Sequence, residues 1–310
     1  MKFTVTHCRM LSDSIREITV HGPASLAAMS HAGAHFKWLI PGLDDCRHYS
    51  TVHVNDAAEG QFTFAIRLSP DSISSQYIRT LAVNDSVELE GPFNTFNYPL
   101  SATSGRDIAV AGGIGITPLT GILRHLATLN RPAQLHYFAR SAADAAYGED
   151  LQEQLQARMQ LHLSGNRPAI SQILADLTAQ DRLYVCGPAA MLSEVLSHAE
   201  RVGLARECVH LEVFNVARDD TAQGFVIDAA ESGISVNVGP EQSLLEALEA
   251  AGLDPLYDCR RGECGVCALD VLEGEVEHRD FIMSEQEAAC SARIYPCVSR
   301  AKSPRLKLAI

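Results

Sequence analysis

The sequence Cys259-Arg-Arg-Gly-Glu-Cys264-Gly-Val-Cys267 holds three cysteines, and a further cysteine follows in Tyr295-Pro-Cys297. Four residues separate Cys259 from Cys264 and two separate Cys264 from Cys267, a spacing found where four thiolates hold a [2Fe–2S] cluster. Gly262 and Gly265 suit such a loop, because a backbone without Cβ atoms can approach the cluster closely. The stretch therefore predicts an iron–sulfur site with a small domain built around it.

Zinc is the alternative metal for these cysteines. A structural zinc site usually needs a second Cys-x2-Cys pair or a pair of histidines, and the sequence has no second Cys-x2-Cys. The residues alone leave Cys290 and Cys297 as candidates for the fourth ligand. The region resembles plant-type ferredoxins, whose last ligand lies where Cys297 stands, with 29 residues between it and Cys267. That resemblance implies that the metal ligands are Cys259, Cys264, Cys267 and Cys297.

The totals restrict the class of protein. A chain of 310 residues, 46% hydrophobic and 20% charged, predicts two to three soluble domains. The net charge of −13 argues against nucleic acid as a partner. No apolar run reaches the ~18–20 residues of a membrane helix, and the N-terminus is typical of a strand rather than a signal peptide. The remaining cysteines show no disulfide pattern, which predicts a cytoplasmic location.

Residues 1–102 alternate short β-type runs with turns of Gly, Pro and Asp, a pattern that predicts a small antiparallel β-barrel. One of its strands carries Arg47-His48-Tyr49-Ser50. Here the chain resembles the ferredoxin–NADP reductase superfamily, whose Arg-x-Tyr-Ser/Thr strand binds flavin. The resemblance implies that Arg47 grips the flavin phosphate and that Tyr49 covers the ring or the ribityl chain.

Ser50 is the predicted catalytic residue, because its hydroxyl can hydrogen-bond flavin N5. Relatives carry a Gly-rich, Arg-containing phosphate loop after the next strand, where this chain has a serine-rich segment. Most reductases in which a flavin barrel is followed by a nucleotide-binding domain and a C-terminal ferredoxin domain, the arrangement expected for this chain, use FMN. The resemblance therefore implies FMN rather than FAD. The further flavin contacts implied are His48, Ala65, Ile66, Arg67, Ser74 and Ser75.

Residues 103–215 predict an α/β nucleotide-binding domain. A buried strand, 106–111, leads through Gly112-Gly113-Ile-Gly115-Ile-Thr117-Pro118 into a helical pattern, with Thr117 as the predicted N-cap. A helix N-terminus of this kind stabilises a dinucleotide pyrophosphate. The turn lacks the G-x-G-x-x-G pattern of Rossmann dehydrogenases, but it resembles the Gly-Gly-x-Gly-x-Thr-Pro turn of the reductase superfamily. Gly112, Gly113, Gly115 and Thr117 are therefore expected to bind the dinucleotide.

Three more segments are expected to contact the dinucleotide or the flavin. Arg140 and Ser141 stand where relatives meet the adenine ribose; an acidic residue there would favour NADH, whereas these residues would also admit a 2′-phosphate. The nearer relatives have similar residues and use NADH, so the resemblance implies NADH. In the superfamily the turn Cys186-Gly187-Pro188 lies beside the nicotinamide, and the aromatic residue at the position of Phe214 approaches the flavin.

Residues 216–223 predict a polar linker, and 224–310 predict an α+β domain of the β-grasp ferredoxin type. A hairpin over 224–238, a capped helix starting after Ser243, the cysteine loop and a last strand from Arg305 follow in that order.

The whole chain is thus expected to be a multidomain protein with a flavin barrel, a nucleotide-binding domain and a C-terminal ferredoxin domain. This order resembles the phthalate dioxygenase reductase family, to which vanillate O-demethylase reductases belong. The resemblance implies an NADH-dependent reductase that passes electrons through flavin and the cluster to a Rieske-type non-haem iron oxygenase, either an aromatic-ring dioxygenase or an O- or N-demethylase. The alternatives are a reductase for a haem monooxygenase or a ferric compound, and a non-enzymatic iron–sulfur redox sensor.

Overall fold

The computed structural model describes residues 1–43, 46–52, 60–94, 96, 105–214 and 222–310. The chain forms two compact units, Met1–Glu212 and Val213–Ile310. The predicted boundary between 102 and 103 lies outside the described residues, and so do residues 216–221 of the predicted linker. Those boundaries stay predictions. No helix within the described ranges has the length and apolar character needed to cross a membrane.

The first unit begins with an antiparallel sheet of six strands in the order β4-β3-β6-β1-β2-β5. Its elements are β1 (Lys2–Ser12), β2 (Ile15–His21), β3 (His35–Leu39), β4 (Arg47–Ser50), β5 (Gln61–Arg67), helix α1 (Ile73–Thr80) and β6 (Ser86–Phe93). The two edges of the sheet meet, because Thr51 bridges Phe64 and the Val52 N–H donates to the Thr63 carbonyl at 2.9 Å. The predicted antiparallel barrel is confirmed.

Aromatic side chains fill the barrel. Trp38 and Phe36 alternate along β3 with outward residues, and both are fully buried. The Trp38 ring meets Phe64 edge-on at 5.2 Å, and Phe36 meets Phe62 at 4.9 Å. Such edge-to-face contacts add to the stabilisation from apolar burial, so the core fixes strands β3 and β5, which flank β4.

A parallel sheet in the order β11-β10-β7-β8-β9 forms the rest of the first unit. Its elements are β7 (Asp107–Gly112), α2 (Ile116–Thr128), β8 (Ala133–Ala139), α3 (Gly148–Leu155), β9 (Met159–Leu163), α4 (Ile170–Ile173), β10 (Arg182–Gly187), α5 (Ala189–Arg201) and β11 (Val209–Val213). Strand order reverses between β7 and β10, which pair in parallel. In such sheets ligands bind at the carboxyl ends of the strands at this reversal.

The predicted N-cap of α2 was wrong. A 3-10 turn over Gly113–Gly115 precedes the helix, which begins at Ile116, so Thr117 lies inside its first turn. The Thr117 hydroxyl donates to the Ile114 carbonyl at 3.0 Å instead of capping the helix. The tighter turn starts the helical path earlier than the Thr-Pro pattern indicates.

A pH-dependent loss of stability is expected from His136 on β8. Burial, and next the like charge of His162, lower the pKa of His136 to about 4, below its ordinary value. Because the unfolded chain binds the proton more tightly, His136 stabilises the fold above pH ~6.5 and loses this contribution as pH falls toward 4. We expect urea unfolding of wild type to lose about 2 kcal/mol more than His136→Gln over that range.

Exposed His7 on β1 provides the control for His136. Unfolding of His7→Gln is measured beside it, so that the effect of removing a histidine from the surface is known. Equal pH dependence in His136→Gln and wild type would contradict the assignment.

The second unit has the β-grasp arrangement. Its elements are β12 (Phe225–Ala229), β13 (Ile234–Val238), α6 (Leu244–Ala250), β14 (Leu269–Glu273), β15 (Val276–Glu277), α7 (Glu285–Ala289), β16 (Arg293–Ile294), β17 (Arg300–Ala301) and β18 (Arg305–Leu308). The main sheet runs β13-β12-β18-β14-β16, with β12 and β18 parallel. Ser243 caps α6 by accepting the Glu246 N–H at 3.1 Å. The predicted hairpin, capped helix and last strand are confirmed.

Candidate functional site

The four predicted thiolate ligands come together in the second unit as two facing pairs. Cys267 and Cys297 have their sulfur atoms 3.4 Å apart, and the thiols of Cys259 and Cys264 lie near enough for each to shift the pKa of the other. Among the described residues, no three His, Cys, Asp or Glu side chains converge as a single metal ion would require. Two sulfur pairs suit a binuclear cluster, because each iron then takes two protein sulfurs.

The backbone of this loop is shaped around the sulfur atoms. Gly262 and Gly265 have φ values of +74° and +79°, which strain any residue with a Cβ atom. A Cβ atom at Gly262 would lie 2.6 Å from Val298 Cγ2. The Arg261 N–H donates to Cys259 Sγ at 3.3 Å. Backbone donors aimed at sulfur tune iron–sulfur clusters, so the loop fits a [2Fe–2S] cluster.

The thiol pairs also have displaced pKa values. The neighbouring Cys259 thiol lowers the pKa of Cys264 to about 6, while the Cys264 thiol and burial raise the pKa of Cys259. One sulfur of this pair is therefore readily ionised, and the thiolate is the form that binds metal. Cys290, the rival fourth ligand, is exposed at the end of α7 and its thiol faces the Gln286 carbonyl at 3.5 Å.

Glu263 stabilises the cysteine loop through its contacts, and no sequence pattern indicated this role. Its side chain is buried, and its carboxylate accepts the Val213 N–H at 2.6 Å and pairs with the Arg261 guanidinium at 2.8 Å. Burial raises the pKa of Glu263 to about 7. A lone acidic residue between two cysteines has no periodicity or spacing that reveals such a role.

Ser50, the predicted catalytic residue, lies buried at the end of β4. Its hydroxyl donates to the Glu212 carboxylate, with Oγ 3.1 Å from Oε2 and 3.3 Å from Oε1. His35 Nδ1 lies 3.9 Å from Glu212 Oε1, and all three side chains are at most 3% exposed. Because the Ser50 hydroxyl proton points to the Glu212 carboxylate, the lone pairs of Ser50 Oγ stay available. They suit a serine that accepts a hydrogen bond from an N–H group.

The other residues of β4 line up beside Ser50. Tyr49 packs edge-on against Trp38 at 5.8 Å, and burial raises its pKa. His48 stacks on His35, with ring centres 5.2 Å apart. Arg47 is half-buried, and its Nη1 donates to the Cys46 carbonyl at 3.0 Å. Strand β4 thus carries a cation, an aromatic ring and a hydroxyl group within four residues.

The predicted contacts on β5 and α1 differ in exposure. Ala65 and Ile66 are buried in the barrel, while Arg67 is exposed at the strand end. Ser74 and Ser75 are buried in the first turn of α1, where the Ser75 hydroxyl accepts the Ser69 N–H at 2.9 Å. The two serines already stabilise the local turn, and their contact with a flavin phosphate stays a prediction.

The predicted dinucleotide turn brings the ends of β7 and β10 into contact. A Cβ atom at Gly112 would lie 2.5 Å from Pro188 Cδ and 3.1 Å from Gly187 Cα, and one at Gly115 would collide with the Cys186 carbonyl oxygen. Glycine is therefore required for this close approach. The glycines of the turn carry no Cβ atoms of their own, as suits a backbone that meets a pyrophosphate at a helix N-terminus.

A cavity of about 440 Å³ opens beside this turn in the first unit. Gly112, Gly113 and Pro188 line it together with Arg67 and Arg140, which joins several predicted dinucleotide contacts in one place. Its size is in the range of cofactor pockets.

Six residues predicted in this domain to contact the dinucleotide or the flavin lie outside the cavity lining: Gly115, Thr117, Ser141, Cys186, Gly187 and Phe214. The Ser141 hydroxyl donates to Asp144 Oδ2 at 2.9 Å. Phe214 follows β11 and is half-buried. Their roles toward a dinucleotide or flavin stay predictions.

Two families match the chain. The one described as "Oxidoreductase FAD-binding domain" matches residues 2–98, and the one described as "2Fe-2S iron-sulfur cluster binding domain" matches residues 227–302. The first covers the barrel with Ser50, and the second covers the paired cysteines.

Curated relatives match nearly the full length. The heme-dependent oxidative N-demethylase beta subunit of Ectopseudomonas mendocina is 35% identical over 96% of this chain and 94% of its own. The vanillate O-demethylase oxidoreductase of Pseudomonas sp. is 32% identical over 93% of both chains. The carnitine monooxygenase reductase subunit of Escherichia coli is 34% identical over 80% of this chain and 78% of its own.

Solved structures share the fold. Phthalate dioxygenase reductase matches 100% of this chain and 98% of its own, with 24% identity and a TM-score of 0.67. An intact type IV self-sufficient cytochrome P450 monooxygenase is 28% identical with a TM-score of 0.69, but this chain spans only 41% of it. With the paired thiols, the buried Ser50 and the glycine turn, these matches show that the chain belongs to the phthalate dioxygenase reductase and vanillate O-demethylase reductase family of electron-transfer oxidoreductases.

Proposed function

We propose that this protein is the reductase component of a two-component oxygenase system, taking electrons from NADH and delivering them to a separate Rieske-type non-haem iron oxygenase. The observation that carries the proposal is the presence, in one chain, of two facing thiol pairs and of a first unit with a flavin-type strand and a dinucleotide-type turn. A nicotinamide gives up two electrons together, whereas a [2Fe–2S] cluster takes one, and a flavin converts between the two.

The residues of the first unit supply binding and orientation. Arg47 and Tyr49 would hold the flavin phosphate and ring system. Ser50, with its own proton committed to Glu212, would present its oxygen lone pairs to N5, which carries an N–H only in the reduced flavin. The buried Glu212 carboxylate fixes that orientation, since a carboxylate accepts hydrogen bonds and donates none. The turn at Gly113–Gly115 receives the pyrophosphate of the dinucleotide.

The four cysteines of the second unit would hold the cluster. Cys259 and Cys267 are buried and Cys264 and Cys297 are half-buried, so one side of the site faces the surface where a partner protein can dock. Electron transfer between proteins needs this kind of exposed edge. We propose FMN as the flavin, on the order of the domains, and the cytoplasm as the location, on the scattered free cysteines.

The names of the relatives support an oxygenase as the acceptor. An N-demethylase, an O-demethylase and a carnitine monooxygenase are all oxygenase systems. A haem-dependent oxygenase is the second candidate partner, because the relative with 35% identity is named a heme-dependent N-demethylase beta subunit.

Reconstitution with each class of acceptor distinguishes the two candidates. The flavin- and cluster-loaded protein is mixed with NADH, O2 and either a Rieske oxygenase or a haem-dependent demethylase, and product formation is measured. Product with the Rieske oxygenase supports the proposal, and product with the haem enzyme alone moves it to the second candidate. Reduction of neither partner under conditions where NADH still reduces ferricyanide would contradict an oxygenase role.

A further inference from the structure

The cavity beside the dinucleotide turn is unusually cationic at the end where the adenosine half of a dinucleotide would lie. In doubly wound sheets the ribose nearest the adenine is met at the end of the strand after the glycine turn. That strand here is β8, which ends at Ala139 and is followed by Arg140 and Ser141, with no acidic residue at either position. Arg140 is exposed and lines the cavity.

A second guanidinium reaches the same place from the next strand. Arg167 follows β9, and its Nη2 donates to the Ala139 carbonyl at 3.3 Å and to Ser164 Oγ at 3.3 Å. The hydrogen bond to the Ala139 carbonyl places this guanidinium beside the residue directly before Arg140. Both of its hydrogen bonds within the described ranges use Nη2, which leaves the N–H groups of Nε and Nη1 for a further acceptor, and Arg167 also lines the cavity.

A third arginine connects this end of the cavity to the glycine turn. Arg67 Nη2 would lie 2.6 Å from a Cβ atom at Gly113. Arg67 and Arg140 both line the cavity, so two like charges lie at the same wall. Glu194 on α5 is the acidic residue of the lining, so three guanidinium groups face one carboxylate.

Like charges held together at a cavity wall are stabilised when an anion binds between them. Guanidinium groups bind phosphate through paired, charge-assisted hydrogen bonds, and an arginine at this strand end is how such folds accept a ribose 2′-phosphate. The pyrophosphate has its own place at the glycine turn, which leaves Arg140 and Arg167 for a different anionic group.

We infer that Arg140 and Arg167 form a subsite for the 2′-phosphate of NADPH, so that the protein oxidises NADPH as well as NADH. The inference deepens the proposed function and rests on it for the oxidation, but the phosphate subsite has a test of its own. Sequence alone singled out Arg140; Arg167 is added by its contact with the Ala139 carbonyl.

Steady-state rates with the two dinucleotides give the first test, using ferricyanide as acceptor. In wild type, kcat/KM for NADPH should lie within about tenfold of that for NADH. Arg140→Gln and Arg167→Gln should each lower the ratio of NADPH to NADH kcat/KM by about tenfold or more, the loss of one charge-assisted phosphate contact. Arg158→Gln is the matched control, because Arg158 donates to the Ala133 carbonyl at the opposite end of β8, and it should keep the wild-type ratio.

Calorimetric titration of the flavin-loaded protein with 2′,5′-ADP and with 5′-AMP gives the second test. Wild type should bind 2′,5′-ADP about tenfold or more tightly than 5′-AMP, and the difference should vanish in an Arg140→Gln, Arg167→Gln double variant. Equal binding of the two nucleotides by wild type would overturn the subsite, and so would NADH oxidation without NADPH oxidation. Oxidation of neither dinucleotide would count against the proposed function, with the titration still deciding the subsite.

Discussion

Replacing Cys297 by serine is expected to abolish NADH-driven reduction of cytochrome c while leaving reduction of ferricyanide within a few-fold of wild type. Cys297 faces Cys267 at 3.4 Å in the second unit, and its loss leaves one iron of a [2Fe–2S] cluster with a single protein thiolate. The first unit, Met1–Glu212, keeps its flavin strand and glycine turn, so a small acceptor can still be reduced there. Iron and sulfide content and both reductase activities are the measurements.

Cys290→Ser is the matched control for this prediction. Cys290 was the rival ligand on sequence grounds, and it lies exposed at the end of α7. The variant should retain full iron content and full cytochrome c reduction. Loss of the cluster in Cys290→Ser with its retention in Cys297→Ser would reverse the assignment of the fourth ligand.

Ser50→Ala is expected to slow reduction of bound flavin by NADH by about tenfold to a hundredfold, the range for loss of one positioned hydrogen-bonding group. The Ser50 hydroxyl donates to Glu212 at 3.1 Å inside a fully buried cluster. The variant removes the group proposed to face N5 and also takes a donor from a buried carboxylate, which costs about 1–3 kcal/mol of stability. Stopped-flow absorbance of the flavin gives the rate.

The variant Ser50→Thr distinguishes the effect of losing the hydroxyl group from the effect of a change in side-chain packing. Threonine keeps the hydroxyl, so most of the rate should return, whereas alanine keeps neither donor nor acceptor. Flavin content is measured for both variants, because a lower rate counts only when flavin is bound. A Ser50→Ala protein that is fully loaded and reduced as fast as wild type would remove Ser50 from the reaction.

Local patterns predicted the parts of the site that a single loop or turn forms. The spacing from Cys259 to Cys267 and the turn from Gly112 to Gly115 depend on neighbours in the chain, because close backbone approach needs glycine at fixed offsets. The short strands with turn residues likewise predicted the antiparallel barrel, and the strand–turn–helix pattern predicted the α/β domain. These features were found where expected.

Long-range partners were not predictable in the same way. Glu212 stands 162 residues after Ser50, and a glutamate at the end of a strand carries no sign that it will be buried against a serine. His35 and Arg167 are similar cases, since each acquires its role from an element that the fold brings near. Thr117 is the opposite case. Its sequence is typical of an N-cap, but the 3-10 turn over Gly113–Gly115 leads into the helix before Thr117 is reached.

The central claim is that one chain carries electrons from a two-electron donor to a one-electron iron–sulfur centre. Anaerobic titration of the flavin- and cluster-loaded protein with NADH, followed by visible absorbance and electron paramagnetic resonance, tests it most directly. We predict bleaching of the flavin together with the signal of a reduced [2Fe–2S] cluster, complete near about 1.5 equivalents of NADH, since flavin takes two electrons and the cluster one. Bleaching of the flavin without any cluster signal, or no change with NADH at all, would contradict the account.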